Sequence, residues 1–370
     1  MYVFDVLFYG FIAIGVVQVI YYAFIFSKFS FYIGEQQTQK NIGISVLICA
    51  KNEARNLKKF LPSIIEQDYP NFEIVLINDG STDKTLKVME SFKNNHANIK
   101  IVDVKTIEAF WGNKKYALTL GIKASSNNFL LFTDADCKPL SNQWIKEMSS
   151  HFSNAKSIVL GYGAYEKIKG SLLNKLIRFE TLMTATQYFS YAIMGQPYMA
   201  VGRNLAYRKE LFFETSGFMN HIKIKSGDDD LFINQIASAE NTAICISKES
   251  FTESIPEKTL TDWISQKRRH VSTAKYYKFK HKLFLSIFYS SQLLFWTLAA
   301  ILIGTLNFWE VVVGLVLLRI LIQFISLGKA SKKLNEADLI PFFPVLEVFL
   351  ISLQFFIFIK NLISKPRHWK

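Results

Sequence analysis

Apolar residues follow two regimes along this chain. Toward both ends they form long, nearly uncharged runs, and from Asn41 to about Ser171 they form short runs divided by segments with apolar positions three or four apart. The middle regime predicts alternating strands and helices. Ile44-Ser45-Val46-Leu47-Ile48-Cys49, Phe72 to Ile77, Ile99 to Val104 and Phe129 to Thr133 read as buried strands. Between them lie helical segments: one with Leu57, Phe60, Leu61, Ile64 and Ile65 on one face, then Asp83 to Phe92, then Lys114 to Ala124. This order implies an α/β fold with a mostly parallel sheet covered on both faces.

Leu7 to Phe26 is about 20 residues long, enough for a helix to span a bilayer. It lacks the positive start and small-residue cleavage site of a signal peptide. Lys28 and Lys40 follow it, so the positive-inside rule places the next domain in the cytoplasm, against a bacterial-type inner membrane. Leu283 to Leu306, Phe308 to Leu327 and Leu339 to Ile359 are each long enough to cross. If all of these apolar segments cross, the basic tail falls outside; Pro341, Pro344 and Glu347 mark the last as an alternative re-entrant or broken segment. Leu172 to Met194 reads as a helix against the membrane, and Trp263 to Lys282 as an interfacial helix or an ordinary basic surface helix. The expected division is an N-terminal transmembrane helix (1–28), a cytoplasmic domain (41–250), an interfacial region (251–282), membrane segments (283–360) and a basic tail (361–370).

Composition sharpens this picture. The 370 residues include 33 Phe and carry a formal net charge of +13. Such a charge can mean nucleic acid. Here Lys267, Arg268, Arg269, Lys275, Lys278, Lys280, Lys282, Lys329, Lys332 and Lys333 adjoin apolar helices, which fits anionic lipid headgroups and excludes nucleic acid as the expected partner. Cys49, Cys137 and Cys245 have no metal-ligand spacing and read as reduced cytosolic thiols.

The candidate chemistry sits where strands end. Thr133-Asp134-Ala135-Asp136 puts carboxylates at the exposed end of the fourth strand, where open α/β sheets bind ligands. Carboxylates there suit Mg²⁺ or Mn²⁺ bridging a diphosphate, whereas a solvated turn capping the next helix is the plain alternative. The first strand ends in Ala50-Lys51-Asn52-Glu53 and the second in Asn78-Asp79-Gly80-Ser81-Thr82-Asp83. Asp79 can accept the imide N–H of uracil, and Glu53 can reach base or ribose. Gly227-Asp228-Asp229-Asp230 crowds carboxylates that repel unless a site uses them.

These motifs, in this order and with 55 positions from Asp79 to Asp134, resemble glycosyltransferase family 2 over about Ile44 to His270. The resemblance implies a sugar-nucleotide-binding, GT-A domain with N- and C-terminal transmembrane helices. It implies that Ala50, Glu53 and Asp79 line the nucleoside, that Asp134 lies near ribose and diphosphate, and that Asp136, with Asp134, holds the metal. Trp111-Gly112-Asn113-Lys114-Lys115 fits the family's lysine segment, with Lys114 near the diphosphate and Lys115 as the alternative. Asp228-Asp229-Asp230-Leu231-Phe232 set beside the family's Glu-Asp motif makes Asp229 the general base; a register one residue earlier makes it Asp228. Gln266-Lys267-Arg268-Arg269-His270 resembles Gln-x-x-Arg-Trp, giving Arg269 to the diphosphate and Gln266 to the acceptor. His270 departs from the Trp of polymer synthases. Gly202-Arg203-Asn204-Leu205-Ala206-Tyr207 resembles the segment lining the acceptor pocket, which implicates Arg203 and Asn204.

The expected function is a metal-dependent, inverting hexosyltransferase-type enzyme using Mg²⁺ or Mn²⁺. It takes a nucleotide-sugar donor, UDP-linked by preference, to a lipid or glycan acceptor at the membrane, a lipid being favoured. A polysaccharide synthase is the alternative within the class, and a non-catalytic membrane scaffold the alternative outside it.

Overall fold

The computed structural model describes residues 2–34, 38–105, 114–224 and 226–364. It divides into two compact units. One is helical and gathers residues 1–33, 169–194 and 258–367; the other carries the sheets and gathers 34–168 and 195–257.

The chain starts with α1 (Tyr2–Ile20), which widens into one π-helical turn (Tyr21–Phe26) before α2 (Ser27–Ser30). The sheet unit then alternates β1 (Ile44–Ala50), α3 (Ala54–Ile65), β2 (Phe72–Asp79), α4 (Thr85–Asn95), β3 (Ile99–Val104), α5 (Lys114–Ala124) and β4 (Phe129–Asp134). Shorter elements follow: β5 (Cys137–Pro139), α6 (Trp144–Ser150), β6 (Ile158–Leu160) and β7 (Gly163–Tyr165). Helix α7 (Leu172–Ile193) belongs to the helical unit. The sheet unit resumes with β8 (Leu205–Arg208), α8 (Lys209–Glu214), α9 (Asp230–Ile236), β9 (Thr242–Ile244) and β10 (Thr252–Ser254). The helical unit closes with α10 (Leu260–Val271), α11 (Phe279–Gly304), α12 (Trp309–Lys333), a 3₁₀ segment (Ala337–Phe342) and α13 (Phe343–Ile363).

The main sheet has seven strands in the order β3-β2-β1-β4-β8-β6-β9. β1 pairs in parallel with β2 and β4, as their continuous apolar runs predict, and β2 pairs in parallel with the more polar edge strand β3. β8 runs antiparallel to both β4 and β6. A second sheet of three strands, β5-β10-β7, adjoins in sequence the end of β4. The core packs Leu57, Leu61 and Ile64 of α3 against Val46, Ile48, Ile74 and Leu76 of the sheet, with Trp144, Ile145 and Met148 of α6. Each such side chain contributes roughly 1.5–3 kcal/mol on burial.

The helical unit holds four helices long and apolar enough to cross a membrane among the described residues: Tyr2–Ser30, Phe279–Gly304, Trp309–Lys333 and Ala337–Ile363. Trp263 to Lys282 is not a single helix. α10 ends at Val271, where the Ser272 and Thr273 hydroxyls donate to the carbonyls of Arg269 (2.6 Å) and His270 (2.7 Å), and α11 starts anew at Phe279. Hydroxyls that bond preceding carbonyls compete with helix continuation. Residues 365–370 of the basic tail lie outside the described residues.

Candidate active site

Because β1, β2 and β4 are parallel and in register, their C-terminal ends lie side by side: Cys49 opposite Asp134, and Ala50 opposite Asn78. The strand order reverses between β1 and β4, the crevice position for ligands in open sheets. The loops after β1 and β2 are stitched together. Asn52 N donates to Ser81 Oγ (3.0 Å), Thr82 N to Asn52 Oδ1 (2.8 Å), and Glu53 N to Thr85 Oγ1 (2.8 Å). Asp83 accepts from Thr85 N at 2.9 Å, beginning α4, and Gly80 turns the chain at φ +58°. Ala50 is fully buried and Asp79 nearly so. Burial raises the Asp79 carboxyl above the ordinary range, opposed by Lys51 and Lys114. Glu53 is raised by burial, opposed by its hydrogen bond from Asn56 (2.6 Å) and reinforced by the charges of Asp136 and Asp134.

Lys114 joins the two acidic motifs. From the first turn of α5 its Nζ lies 2.9 Å from Asp134 Oδ1 and 3.1 Å from Asp228 Oδ2. Burial works against its charge, yet Asp134 and Asp228 hold it protonated well above the usual lysine range. Lys115 points elsewhere: fully buried, it donates to the carbonyls of His221 (2.8 Å) and Ile224 (2.9 Å), fixing the loop before the acidic cluster. Burial lowers Lys115 to about 8. Trp111, Gly112 and Asn113 lie outside the described residues.

Asp229 caps α9. Its Oδ1 accepts from Asp230 N (2.7 Å) and its Oδ2 from Gly202 N (2.7 Å). Gly202 permits this approach, since a Cβ there would come within 3.2 Å of Asp229 Oδ2. Gly227 turns into the cluster at φ +94°, a region L-residues avoid. Burial, then the charges of Asp228 and Asp230, push Asp229 up to about 7, against the pull of Lys114. A carboxylate so poised is suited to accept a proton near neutral pH. Cys49, Lys114, Asp134, Gly202, Asp228 and Asp229 line one pocket.

Ligand atoms of Asp134, Asp136 and Cys137 lie within 4.8 Å of one another. Asp136 is raised by burial and by Asp134, the mark of crowded carboxylates that a cation relieves. Cys137 is held as a thiol, well above its ordinary range, by burial and Asp136, and its Sγ donates to Asp136 Oδ1 (3.4 Å). The donors left are hard oxygens, which fit Mg²⁺ or Mn²⁺ better than a thiophilic ion.

Arg203 stacks its guanidinium 4.1 Å from the Tyr165 ring, donates to Ser254 Oγ (2.7 Å), and exerts its charge on Asp136. The structure does not bring Asn204 into the pocket wall. Fully buried, its amide donates to the carbonyls of Tyr162 (2.9 Å) and Ser250 (2.8 Å) and accepts from Trp144 Nε1 (3.0 Å). It anchors the turn that presents Gly202 N to Asp229. Asn204→Ala is therefore expected to lower stability by about 1–3 kcal/mol, because it orphans buried groups; thermal unfolding of the purified protein checks this. Gln266 and Arg269 lie on α10 in the helical unit, where Lys267 forms an ion pair with Glu180 of α7. Sequence reasoning missed the Lys114–Asp228 pair, the donation from Gly202 N to Asp229 and the pocket wall Phe218. These come from chain segments far apart, with no local spacing to reveal them.

The sheet order and site geometry define an open, mostly parallel α/β protein with an acidic pocket at the switch point of its sheet. Residues 45–214 match the model of the family "Glycosyl transferase family 2". Over 123 residues the chain is 37% identical to a poly-beta-1,6-N-acetyl-D-glucosamine synthase of Staphylococcus epidermidis, covering 33% of this chain and 29% of that protein. It is 27% identical over 187 residues to glycosyltransferase AglE of Haloferax volcanii, covering 50% of this chain and 58% of that one. Matches to these curated relatives thus span less than two thirds of their lengths. A solved mannosyltransferase, PcManGT of Pyrobaculum calidifontis in complex with GDP-Man and Mn²⁺, shares the fold with a TM-score of 0.60 at 17% identity, covering 90% of this chain and 99% of that one. Residues 45–214 belong to glycosyltransferase family 2, and the chain carries a glycosyltransferase domain of GT-A fold.

Proposed function

We propose that this protein is a membrane-bound, metal-dependent inverting glycosyltransferase that moves a sugar from a nucleotide-diphosphate donor to an acceptor at the membrane surface. The observation carrying this reading is the Lys114 bridge, which joins Asp134 at the end of β4 to Asp228 before α9, with Asp229 in the same pocket. Ala50, Glu53 and Asp79 receive the nucleoside, Asp134 the ribose side, and Lys114 the diphosphate. Asp136, with Asp134, would hold Mg²⁺ or Mn²⁺, which supplies positive charge to the leaving diphosphate. Asp229 takes the acceptor hydroxyl proton as that oxygen bonds to the anomeric carbon. The bond from anomeric carbon to phosphate oxygen breaks, and the electron pair leaves with the nucleoside diphosphate. A single displacement inverts the anomeric centre. Arg269 and Gln266 are assigned to diphosphate and acceptor on motif resemblance alone. The catalytic domain is assigned to the cytoplasm by the lysines that follow α1.

A lipid acceptor is favoured by the basic residues flanking the apolar helices. Polysaccharide synthesis is the second reading, favoured by the similarity to the staphylococcal synthase; His270 counts against it. Membranes holding the full chain, incubated with labelled UDP- and GDP-sugars, should yield label in the organic extract. Label only in high-molecular-weight, water-soluble material would favour the synthase, and no transfer from any donor would defeat both. Chelation should abolish transfer and Mg²⁺ or Mn²⁺ restore it. Asp136→Asn should weaken metal activation by more than the roughly 10–100-fold seen for outer-shell changes, checked by metal titration.

A further inference from the structure

The fourth apolar helix is long enough to cross a membrane, yet its contacts inside the helical unit place both its ends at one level. The levels are set by α1, α11 and α12. At one end of this bundle Lys333 Nζ donates to Phe29 O (2.9 Å), Lys329 lies over Phe31 (4.1 Å), and Phe288 packs on Phe26 (5.0 Å). Lys28, Lys280, Lys282 and Lys332 belong to the same helix ends. At the other end Phe8 stacks on Phe308 (4.3 Å), next to Asn307, the bend between α11 and α12. These three helices therefore run from a lysine-marked face to a face without lysines.

Helix α7 stays on the lysine face along its length. Near its C-terminus Phe189 stacks on Phe29 (5.0 Å) and Ser190 Oγ donates to Phe26 O (3.4 Å). Toward its N-terminus Arg178 bonds Glu336 and Asp338 (2.9 Å), just after α12 has ended at Lys333. Between these points Glu180 pairs with Lys267, which sets α10 on that face too.

Helix α13 begins there: Phe343 packs on Phe179 (5.6 Å) and Phe324 (5.5 Å). Further along, Glu347 meets Gln292 of α11 (2.5 Å), and Ile351 O accepts from Tyr289 (3.5 Å). The α11 partner has moved back toward the lysine face. From Phe343 to Asn361 an α-helix rises about 27 Å, enough to reach the opposite face if it ran across. Instead Asn361 Oδ1 accepts from Arg268 Nε (2.8 Å), and Ser364 O accepts from the Arg268 guanidinium (2.6 Å).

We infer that α13 does not cross. It lies within the leaflet of the lysine face, its exposed Val345, Phe349 and Phe356 meeting acyl chains, so that three helices cross. Lys360, in the last turn of α13, then falls on the face carrying Lys28 and Lys333, which removes the conflict between four crossings and the positive-inside rule.

The test uses the full chain with Asn307→Cys or, separately, a cysteine appended after Lys370. Both are treated with a membrane-impermeant maleimide in intact and permeabilised cells, and labelling is counted above that of the parent chain. The expected result is opposite sidedness: one position labels in intact cells and the other only after permeabilisation. Labelling of both from the same side, or of the appended cysteine from both sides, overturns the inference. The readout needs no transfer activity, so its failure and that of the proposed function are separable.

Discussion

Asp229→Asn is expected to lower sugar transfer by about 10²–10⁴-fold, the usual contribution of a positioned general base. The pH dependence gives a sharper signature. Burial and the neighbouring Asp228 and Asp230 push Asp229 up to about 7, and a base works only when ionised. The kcat/KM of the parent enzyme should therefore fall as pH drops through about 7, and Asp229→Asn should lose that limb along with the activity. Folding moves the other way. A carboxyl raised in the folded state contributes stability that is full below its unfolded value and is lost as pH rises through about 7. Asn carries no charge to desolvate but can accept only one of the two backbone N–H bonds, so the variant's unfolding temperature relative to the parent should be higher at pH 8 than at pH 5.5. Asp228 is tied to Lys114, and Asp228→Asn should disturb donor binding while keeping the acidic limb. A limb that survives in Asp229→Asn but vanishes in Asp228→Asn moves the base by one residue. Initial rates from pH 5.5 to 9, with thermal unfolding at pH 5.5 and pH 8, decide it.

The parts of this molecule legible in its sequence are those whose physics is local. β1, β2 and β4 are parallel strands buried largely on both faces, so they read as apolar runs, and the loops at their C-terminal ends must share an edge. That places Glu53, Asp79 and Asp134 near one another before any coordinates. β5, β7 and β10 have three residues each, too few for a period to declare itself. β8 enters antiparallel between β4 and β6 after the chain has left the sheet for α7, and nothing in Leu205-Ala206-Tyr207-Arg208 announces that neighbour. The Lys114–Asp228 pair depends on that long return. The resemblance supplied both residues, but only the fold joins them. Asn204 shows the converse: a residue matching a motif can be spent on buried hydrogen bonds that hold the motif in place.

Glu347, read from sequence as one sign of a broken segment, is a buried ion-pair partner. It accepts from both terminal nitrogens of Arg319, one at 2.6 Å, from Gln292 (2.5 Å) and from Tyr22 (3.2 Å). Arg319 also donates to Gln323 (2.8 Å) and Gln18 (2.9 Å), so one polar cluster ties α1 with its π-turn, α11, α12 and α13. Charges at such depth survive only when paired and facing a bundle interior. Removing one partner leaves the other charge buried and uncompensated, which costs about 3–5 kcal/mol, whereas removing both for apolar groups is often close to neutral. Glu347→Leu and Arg319→Leu should each sharply lower the unfolding temperature in detergent, and the double variant should recover most of the loss. If instead the two losses add, the pair is not the unit, and the surrounding Gln18, Tyr22, Gln292 and Gln323 depend on each charge separately. Recovery of folding in the double variant, with α13 still held at both ends by Arg178 and Arg268, would make the ion pair a choice of partner among apolar helices rather than their source of stability.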